Sequence, residues 1–345
     1  MIGARPGPFL VARQSIYQLI DPPDSRQSAS RDDVNDARHV RVTLAELQNT
    51  WRFSFLESPM PKHRNLLLLT LMTALVAAAS SILAQGRPAP PKTPRIYIFD
   101  VGAIKGLDPK LFNFTRDELK EPDFVNIAYL IVHPKGTLMF DAGAVPDSAF
   151  KGDGSPVVEG IMSATQPLKP QMAAAGYTPA QVDYFAMSHY HSDHTANAND
   201  FASATWIVQK AERDAMMADK PQGIIQPKSY AALKNARTKI LNDEDFDVFG
   251  DGAVMVMSAP GHTPGHQVVF VRLVKTGPVV LAGDLYHYPE ERTTGRIPTF
   301  EFNADQSRAA RAKVEAFIKK TGAQLWIEHD IATHAKLPKS PKYVE

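Results

Sequence analysis

The sequence predicts an α/β (α+β) fold in which two β-rich halves are flanked by helices, the layout of a duplicated sandwich. Three observations carry that prediction. Short apolar runs recur along the chain and are bounded by glycine, proline and polar clusters, as strands are. Stretches of helical spacing separate them, most clearly over residues 304–320, where Val314, Phe317 and Ile318 share one face. The residues suited to chemistry stand directly after the C-terminal ends of apolar runs, where open α/β sheets gather their functional groups.

Composition narrows the classes. A chain of 345 residues has ample material for a core in one large domain or two. A net charge of +1 creates no field that would favour nucleic acid, which is therefore not an expected partner. The 27 prolines predict many loops and turns, and the absence of cysteine excludes a disulfide framework, a thiolate metal site and a cysteine nucleophile.

In chain order, residues 1–59 mix Arg, Asp, Ser and Gln with isolated apolar residues. They read as disordered or as a misassigned start, with a short amphipathic helix over 43–55 as their one candidate element. Residues 60–84 have the layout of a secretory signal peptide: Met60, the basic Lys62 and Arg64, an apolar run from Leu66, then small residues up to Ala84. Translation is expected to begin at Met60 and the protein to be periplasmic or secreted. If the segment stays uncleaved it anchors the protein to a membrane. The proline-rich residues 85–94 read as a linker, and 95–345 as the folded domain.

Within that domain, strands are expected over 96–99, 125–132, 136–143, 183–187, 205–208, 246–257, 267–274, 279–281 and 325–327. Helices are expected over 158–175, stopped by Gly176, over 210–218 and over 304–320. Residues 107–124, with Phe112 and Phe114, form a long loop that is either ordinary or a lip over the site. The polar, proline-interrupted residues 220–245 read as an insertion near its mouth.

The chemistry concentrates in SHYHSDHTAN, residues 188–197. His189, His191, Asp193 and His194 crowd one turn after the apolar run 183–187. Neutral imidazole and carboxylate oxygen suit zinc, and four such donors in six residues suit two adjacent ions better than one. A lone histidine here would be structural or superficial; four donors at this spacing are a metal signature. Three further groups follow strands in the same way: His262 in SAPGHTPGH, Asp284 in VVLAGDLYHY and His329 in LWIEHD.

The series HYHSDH, PGHTPGH, GD and a final EHD resembles the metallo-β-lactamase superfamily over residues 95–345. The run EHDIATHAKLPKSPKYVE resembles its N-acyl-homoserine lactone lactonase branch. The resemblance implies an αββα sandwich and a dinuclear zinc hydrolase that opens the lactone ring of acylated homoserine lactones, which is quorum quenching. By the same resemblance His189, His191 and His262 hold one zinc, Asp193, His194 and His329 the second, and Asp284 bridges the two ions. A metal-bridging hydroxide then attacks the carbonyl, and Asp193 doubles as acid/base. Asp141 supports the metal loop by hydrogen bonds, His266 stands behind the ligands or within a strand rather than being a ligand, and His133 and His334 read as surface.

One departure stands out. Related lactonases often place a tyrosine three residues after the bridging Asp; here that position is His287, flanked by Tyr286 and Tyr288. His287 and Tyr286 are therefore the candidates for contact with the substrate carbonyl. Phe112, Phe114, Tyr286, Tyr288, Phe300 and Phe302 are candidates for an apolar pocket around an acyl tail. The expected partner is a small acylated lactone, membrane contact depends on an uncleaved leader, and a homodimer is allowed for. The competing functions are hydrolysis of a phosphotriester, a thioester or a β-lactam on the same scaffold, or a metal-dependent binding protein. Asp284 argues against a β-lactamase. The sixteen residues after His329 are too few for the helical domain of a glyoxalase II, and a full ligand set argues against a binding protein.

Overall fold

The structure is a computed structural model that describes residues 87–345 except Gln222. The segment 1–59 with its candidate helix, the signal peptide 60–84 and the first two linker positions lie outside the described residues. Among the described residues, no helix is long and apolar enough to cross a membrane.

Strands β1 (Arg95–Ile104), β2 (Phe124–His133), β3 (Gly136–Phe140), β4 (Val157–Glu159), β5 (Met162–Ala164), β6 (Tyr184–Ala186), β7 (Thr205–Gln209) and β8 (Thr238–Leu241) build the first sheet. Strands β9 (Phe246–Asp247), β10 (Val254–Ser258), β11 (Gln267–Arg272), β12 (Pro278–Leu281) and β13 (Gln324–Trp326) build the second. The last strand, β14 (Tyr343–Val344), returns to pair with β1. The first sheet runs β4-β5-β1-β2-β3-β6-β7-β8 and the second β13-β12-β11-β10-β9. Helices α1 (Leu168–Ala174), α2 (Ser192–Thr195), α3 (Lys210–Met216), α4 (Pro227–Tyr230), α5 (Pro289–Thr294), α6 (Ala304–Thr321) and α7 (Ile331–His334) complete it.

Strict alternation along the strands creates the layers. In β1 and β2, Ile96, Ile98, Ile127, Tyr129 and Ile131 face the second sheet, packing with Val254, Val269, Val279 and Trp326. Their neighbours Tyr97, Phe99, Leu130 and Val132 face the other way and are covered by residues such as Leu168 and Met172 of α1 and Met216 of α3. On the far side, Val268, Phe270 and Val280 are covered by Ala310, Val314 and Ile318 of α6. Helix, sheet, sheet and helix thus stack in the expected αββα order. Strands β3, β6 and β7 are mutually parallel, as are β12 and β13. Their C-terminal ends open on the edge that carries the site.

Three expectations need correction. Residues 158–175 are not one helix. Gly160 turns the chain at φ 62°, β4 and β5 pair as a hairpin, and α1 begins only after Pro167. Three-residue strands are too short for their alternation to stand out against a helical period. Residues 220–245 are more than a polar insertion: Tyr230, Leu233 and Leu241 are buried, and β8 extends the sheet beside β7. In the linker, the described residues 87–94 are mostly exposed or half-buried, with Pro91 and Pro94 buried and Arg87 paired to Asp183. His133 and His334 are core residues, 3% and 1% exposed, not surface ones. His133 stacks on Phe249, and His334 lies against Tyr129 and the Ile327 carbonyl.

Candidate metal centre

Five strand ends deliver the site. The loop after β3 places Asp141 in a left-handed conformation (φ 62°), from which Oδ1 accepts the Ser188 amide at 2.6 Å. That bond fixes the start of the 188–194 loop after β6. Gly283, after β12, presses on the same point: a Cβ there would stand 2.4 Å from Ser188 Cβ. Gly261, after β10, approaches α6 so closely that a Cβ would meet the Ser307 nitrogen at 2.2 Å. Only glycine permits either contact. Glu212 of α3 ties two loops together, accepting from the Tyr190 amide at 2.8 Å, the Thr263 hydroxyl at 2.8 Å and the Gly265 amide at 2.8 Å.

The structure brings all seven expected ligand candidates together, in two groups. His262 Nε2 stands 3.2 Å from His189 Nε2 and 3.0 Å from His191 Nδ1. Asp284 Oδ2 completes that group, 3.3 Å from His262 Nε2 and 3.6 Å from His189 Nε2. In the second group, Asp193 Oδ2 lies 3.3 Å from His194 Nε2 and 3.7 Å from His329 Nε2. Asp284 reaches this group with its other oxygen: Oδ1 is 3.2 Å from His194 Nε2 and 3.0 Å from His329 Nε2. One carboxylate therefore offers an oxygen to each group. The donor atoms of each group lie within 4.8 Å of one another, and every one of these residues is buried.

This arrangement fits divalent cations. Three imidazole nitrogens converge on one point, and among the described residues the buried atoms His194 Nε2 and Asp284 Oδ1, close as they stand to other donors of the site, make no hydrogen bond. Buried polar atoms left so are costly unless something outside the chain satisfies them. The donor set, imidazole with carboxylate, suits first-row divalent metals.

The electrostatics follow from burial and crowding. Burial pushes His189 and His191 well below the ordinary histidine range, and neighbouring imidazoles add to the effect. Burial opposes protonation of His194 too, but Glu328, Asp193, Asp284 and Asp141 overcome it and raise His194 well above the ordinary value. His262 is raised against burial by Glu301 and Asp284. Burial would lift Asp284, yet His329, His194 and His287 hold its carboxyl well below the usual range. Asp193 is likewise lowered, by His194 above all, against burial. His287, opposed by burial, is raised to about 10 by Asp284 and Glu291.

Around the donors lies a ring of supporting acceptors and donors. His189 Nδ1 is 2.9 Å from Ser188 Oγ, His262 Nδ1 3.1 Å from Glu301 Oε1 and His329 Nδ1 3.0 Å from the Val125 carbonyl. His194 Nδ1 faces Glu328 Oε1 at 3.3 Å and Asp141 Oδ2 at 3.4 Å. Asn126 Nδ2 donates to Asp193 Oδ2 at 3.0 Å, and the Asp284 amide donates to His266 Nε2 at 3.0 Å. Asp141 and His266 thus stand behind the donors, where they were expected. Such contacts set the tautomer and aim of each ring.

A pocket opens over the cluster. Its apolar wall includes Leu107, Leu111, Phe112, Met162 and Phe300, and its floor His191, Asp193, Asp284, His287 and His329. The 107–124 loop is therefore a lip. Of the aromatic candidates, Phe112 and Phe300 line the pocket, while Phe114 and Tyr288 pack behind it. Phe302 is half exposed. Tyr286, expected at the substrate, is not in the site: its hydroxyl donates to Glu315 Oε1 at 3.2 Å and its ring lies under Arg311. His287 does face the cluster, with Nε2 3.2 Å from Asp284 Oδ2.

Four carboxylates of the site escaped the sequence reading: Glu212, Glu291, Glu301 and Glu328. Glu328 carried the one available signal, an acid between the apolar Leu-Trp-Ile run and His329. It is 1% exposed, and burial, with Asp141 adding to it, raises its carboxyl well above the usual range.

The comparisons with known proteins agree with this geometry. A sequence model of the metallo-beta-lactamase superfamily matches residues 122–322. The N-acyl homoserine lactonase AttM of Azorhizobium caulinodans is 29% identical over 262 residues, which cover 73% of this chain and 98% of the relative. The N-acyl homoserine lactonase AiiA of Bacillus thuringiensis subsp. kurstaki is 26% identical over 223 residues, covering 63% and 85%. A solved N-acyl homoserine lactone hydrolase, with the product N-hexanoyl-L-homoserine at its catalytic metal center, superposes with a TM-score of 0.59 at 24% identity. It covers 73% of this chain and 99% of its own, a likeness of fold.

Proposed function

The chain belongs to the metallo-beta-lactamase superfamily, and from that premise we propose that it is a two-zinc hydrolase that opens the ring of N-acyl homoserine lactones. The observation that carries this reading is Asp284, whose two oxygens face separate donor groups at 3.3 Å and 3.0 Å. His189, His191, His262 and Asp284 would hold one zinc, and Asp193, His194, His329 and Asp284 the other. Bound there, the ions would supply positive charge that acidifies water toward a pKa of ~7 and polarises an ester carbonyl.

The chain's own residues do the rest. The apolar lip of Leu107, Leu111 and Phe112 keeps water from the reacting ester and gives an acyl chain a surface to lie on. Asp193 lines the pocket, and Asn126 fixes its Oδ2. A carboxylate held there can take a proton from the attacking water and return it to the ring oxygen as the C–O bond breaks. Water adds to the carbonyl carbon, the ring oxygen leaves as a hydroxyl, and the acid ionises at neutral pH. One proton is released per ring opened. The AttM and AiiA relatives are N-acyl homoserine lactonases, which supports the lactone over other esters.

The test is a substrate panel with purified, zinc-loaded protein. Homoserine lactones of several acyl lengths, nitrocefin, a glutathione thioester and paraoxon are followed by proton release or colour. Proton release with the lactones alone is the expected result. Cleavage of paraoxon with the lactones left intact would move the protein to phosphotriester chemistry on the same scaffold.

A further inference from the structure

We infer that Glu212 is a positioning residue that holds the His189, His191 and His262 donors at their spacing, and so sets the affinity of the cation they would hold and not of its neighbour. The inference rests on the two-metal reading above and adds a residue to it.

The first ground is geometry. Glu212 stands on α3 and belongs to neither loop that carries these histidines. Its Oε1 accepts the Tyr190 amide and its Oε2 the Gly265 amide, both at 2.8 Å, while the Thr263 hydroxyl lies 3.0 Å and 2.8 Å from the two oxygens. Tyr190 separates His189 from His191, and Thr263 follows His262. One side chain thus joins the first sheet's loop to the second sheet's turn where three imidazoles converge. The turn is seated on α3 without slack: a Cβ on Gly265 would stand 2.6 Å from the Glu212 nitrogen. The Gln267 amide also joins the two loops, donating to the Ser188 carbonyl at 2.9 Å, but at a point before the first donor. A backbone N–H can only donate, so each oxygen of residue 212 must accept, which a carboxylate does and an amide side chain does at one end only.

The other donor group has anchors of its own. The Ala142 amide donates to the His194 carbonyl at 2.8 Å, Asn126 Nδ2 donates to Asp193 Oδ2 at 3.0 Å, and the Val125 carbonyl lies 3.0 Å from His329 Nδ1. None of these passes through Glu212.

The second ground is charge. Glu212 is 3% exposed, and among the described residues no Lys or Arg forms an ion pair with it. Burial lifts its carboxyl to about 7, against the pull of its hydrogen bonds and of His262. A buried carboxylate is costly without an opposite charge, and a cation among the three histidines supplies one. By linkage, the ionised carboxylate favours that cation in return.

The test reads zinc affinity and needs no substrate. Glu212→Gln is placed in full-length protein in two backgrounds, His329→Ala, which leaves the three-histidine group intact, and His262→Ala, which leaves the other. Zinc affinity is measured by chelator competition, with circular dichroism as the check on folding. The expected result is a loss of about 10–100-fold in the His329→Ala background and a change within about threefold in the His262→Ala background. Thr263→Val, which keeps both amide bonds, should lower the same constant by less, and it decides the matter if Glu212→Gln fails to fold. Equal losses in the two backgrounds would reduce Glu212 to a general prop of the fold, and no loss in either would remove it from the site; each outcome overturns the assignment. A parent that holds one ion rather than two would count against the two-metal reading separately, and the His329→Ala background would still decide Glu212.

Discussion

Tyr286 and His287 are neighbours with opposite fates, and the backbone between them explains why. Tyr286 and Tyr288 are extended (φ −141° and −119°), and an extended chain throws successive side chains to opposite sides. His287 therefore faces the metal centre while Tyr286 faces α6, its hydroxyl on Glu315. Tyr286→Phe is expected to leave kcat/KM for the lactone within about twofold and to cost about 1 kcal/mol in urea unfolding, the worth of one hydrogen bond. A tenfold loss of kcat/KM with normal metal content would return the hydroxyl to the reaction. The sequence made the seven donors readable because their residue types and strand-end positions are chemically specific. It left Glu291, Glu301 and Glu328 unread because the partner of a carboxylate is chosen by tertiary contact, and an isolated glutamate in a sequence looks like surface.

At the level of elements, strands written as continuous apolar runs were legible whatever their length, and a short polar hairpin was not. Apolar runs such as 96–99 of β1 and 125–132 of β2 declare those strands, although a bulge at Asp100/Gly102 breaks the alternation of β1 beyond its read part. The β4–β5 hairpin has three residues a side, too few to outweigh a helical spacing. Helix α7 poses the converse problem, since its His334 looked superficial and is buried under the turn from β13. Burial lowers His334 to about 4. The unfolded chain takes up this proton near pH 6.5, which the folded protein refuses until about pH 4. His334 thus adds stability above pH 6.5, loses it as pH falls, and levels off below about pH 4. The gap corresponds to about 3 kcal/mol at most. His334→Gln keeps a donor for the Ile327 carbonyl and removes the titration, so the difference between urea stabilities at pH 7 and pH 4.5 should be smaller in the variant by up to that amount. Equal losses in parent and variant would show that His334 is not what acid acts on.

The described residues form two sheets whose contact is mostly apolar, with the candidate metal centre at one edge of the seam. The first sheet's loops supply His189, His191, Asp193 and His194; the second sheet's supply His262, Asp284 and His329. Each cation would therefore draw donors from both halves and close the sandwich at that edge. Without cations, the same converging lone pairs and unpartnered buried atoms oppose closure, so binding and folding are coupled. A ligand present at a thousand times its Kd stabilises the fold by about 4 kcal/mol, and in a domain of this size each kcal/mol moves Tm by about 2–4 °C. Dialysis against a chelator is expected to lower Tm by on the order of 10 °C, with stoichiometric zinc restoring it while calcium, which prefers all-oxygen sites, does not. The measurement is calorimetry beside elemental analysis of the same samples. A Tm that stays put while the metal is demonstrably gone would mean that the apolar seam alone closes the sandwich and that the centre is held open by the fold at no cost to it.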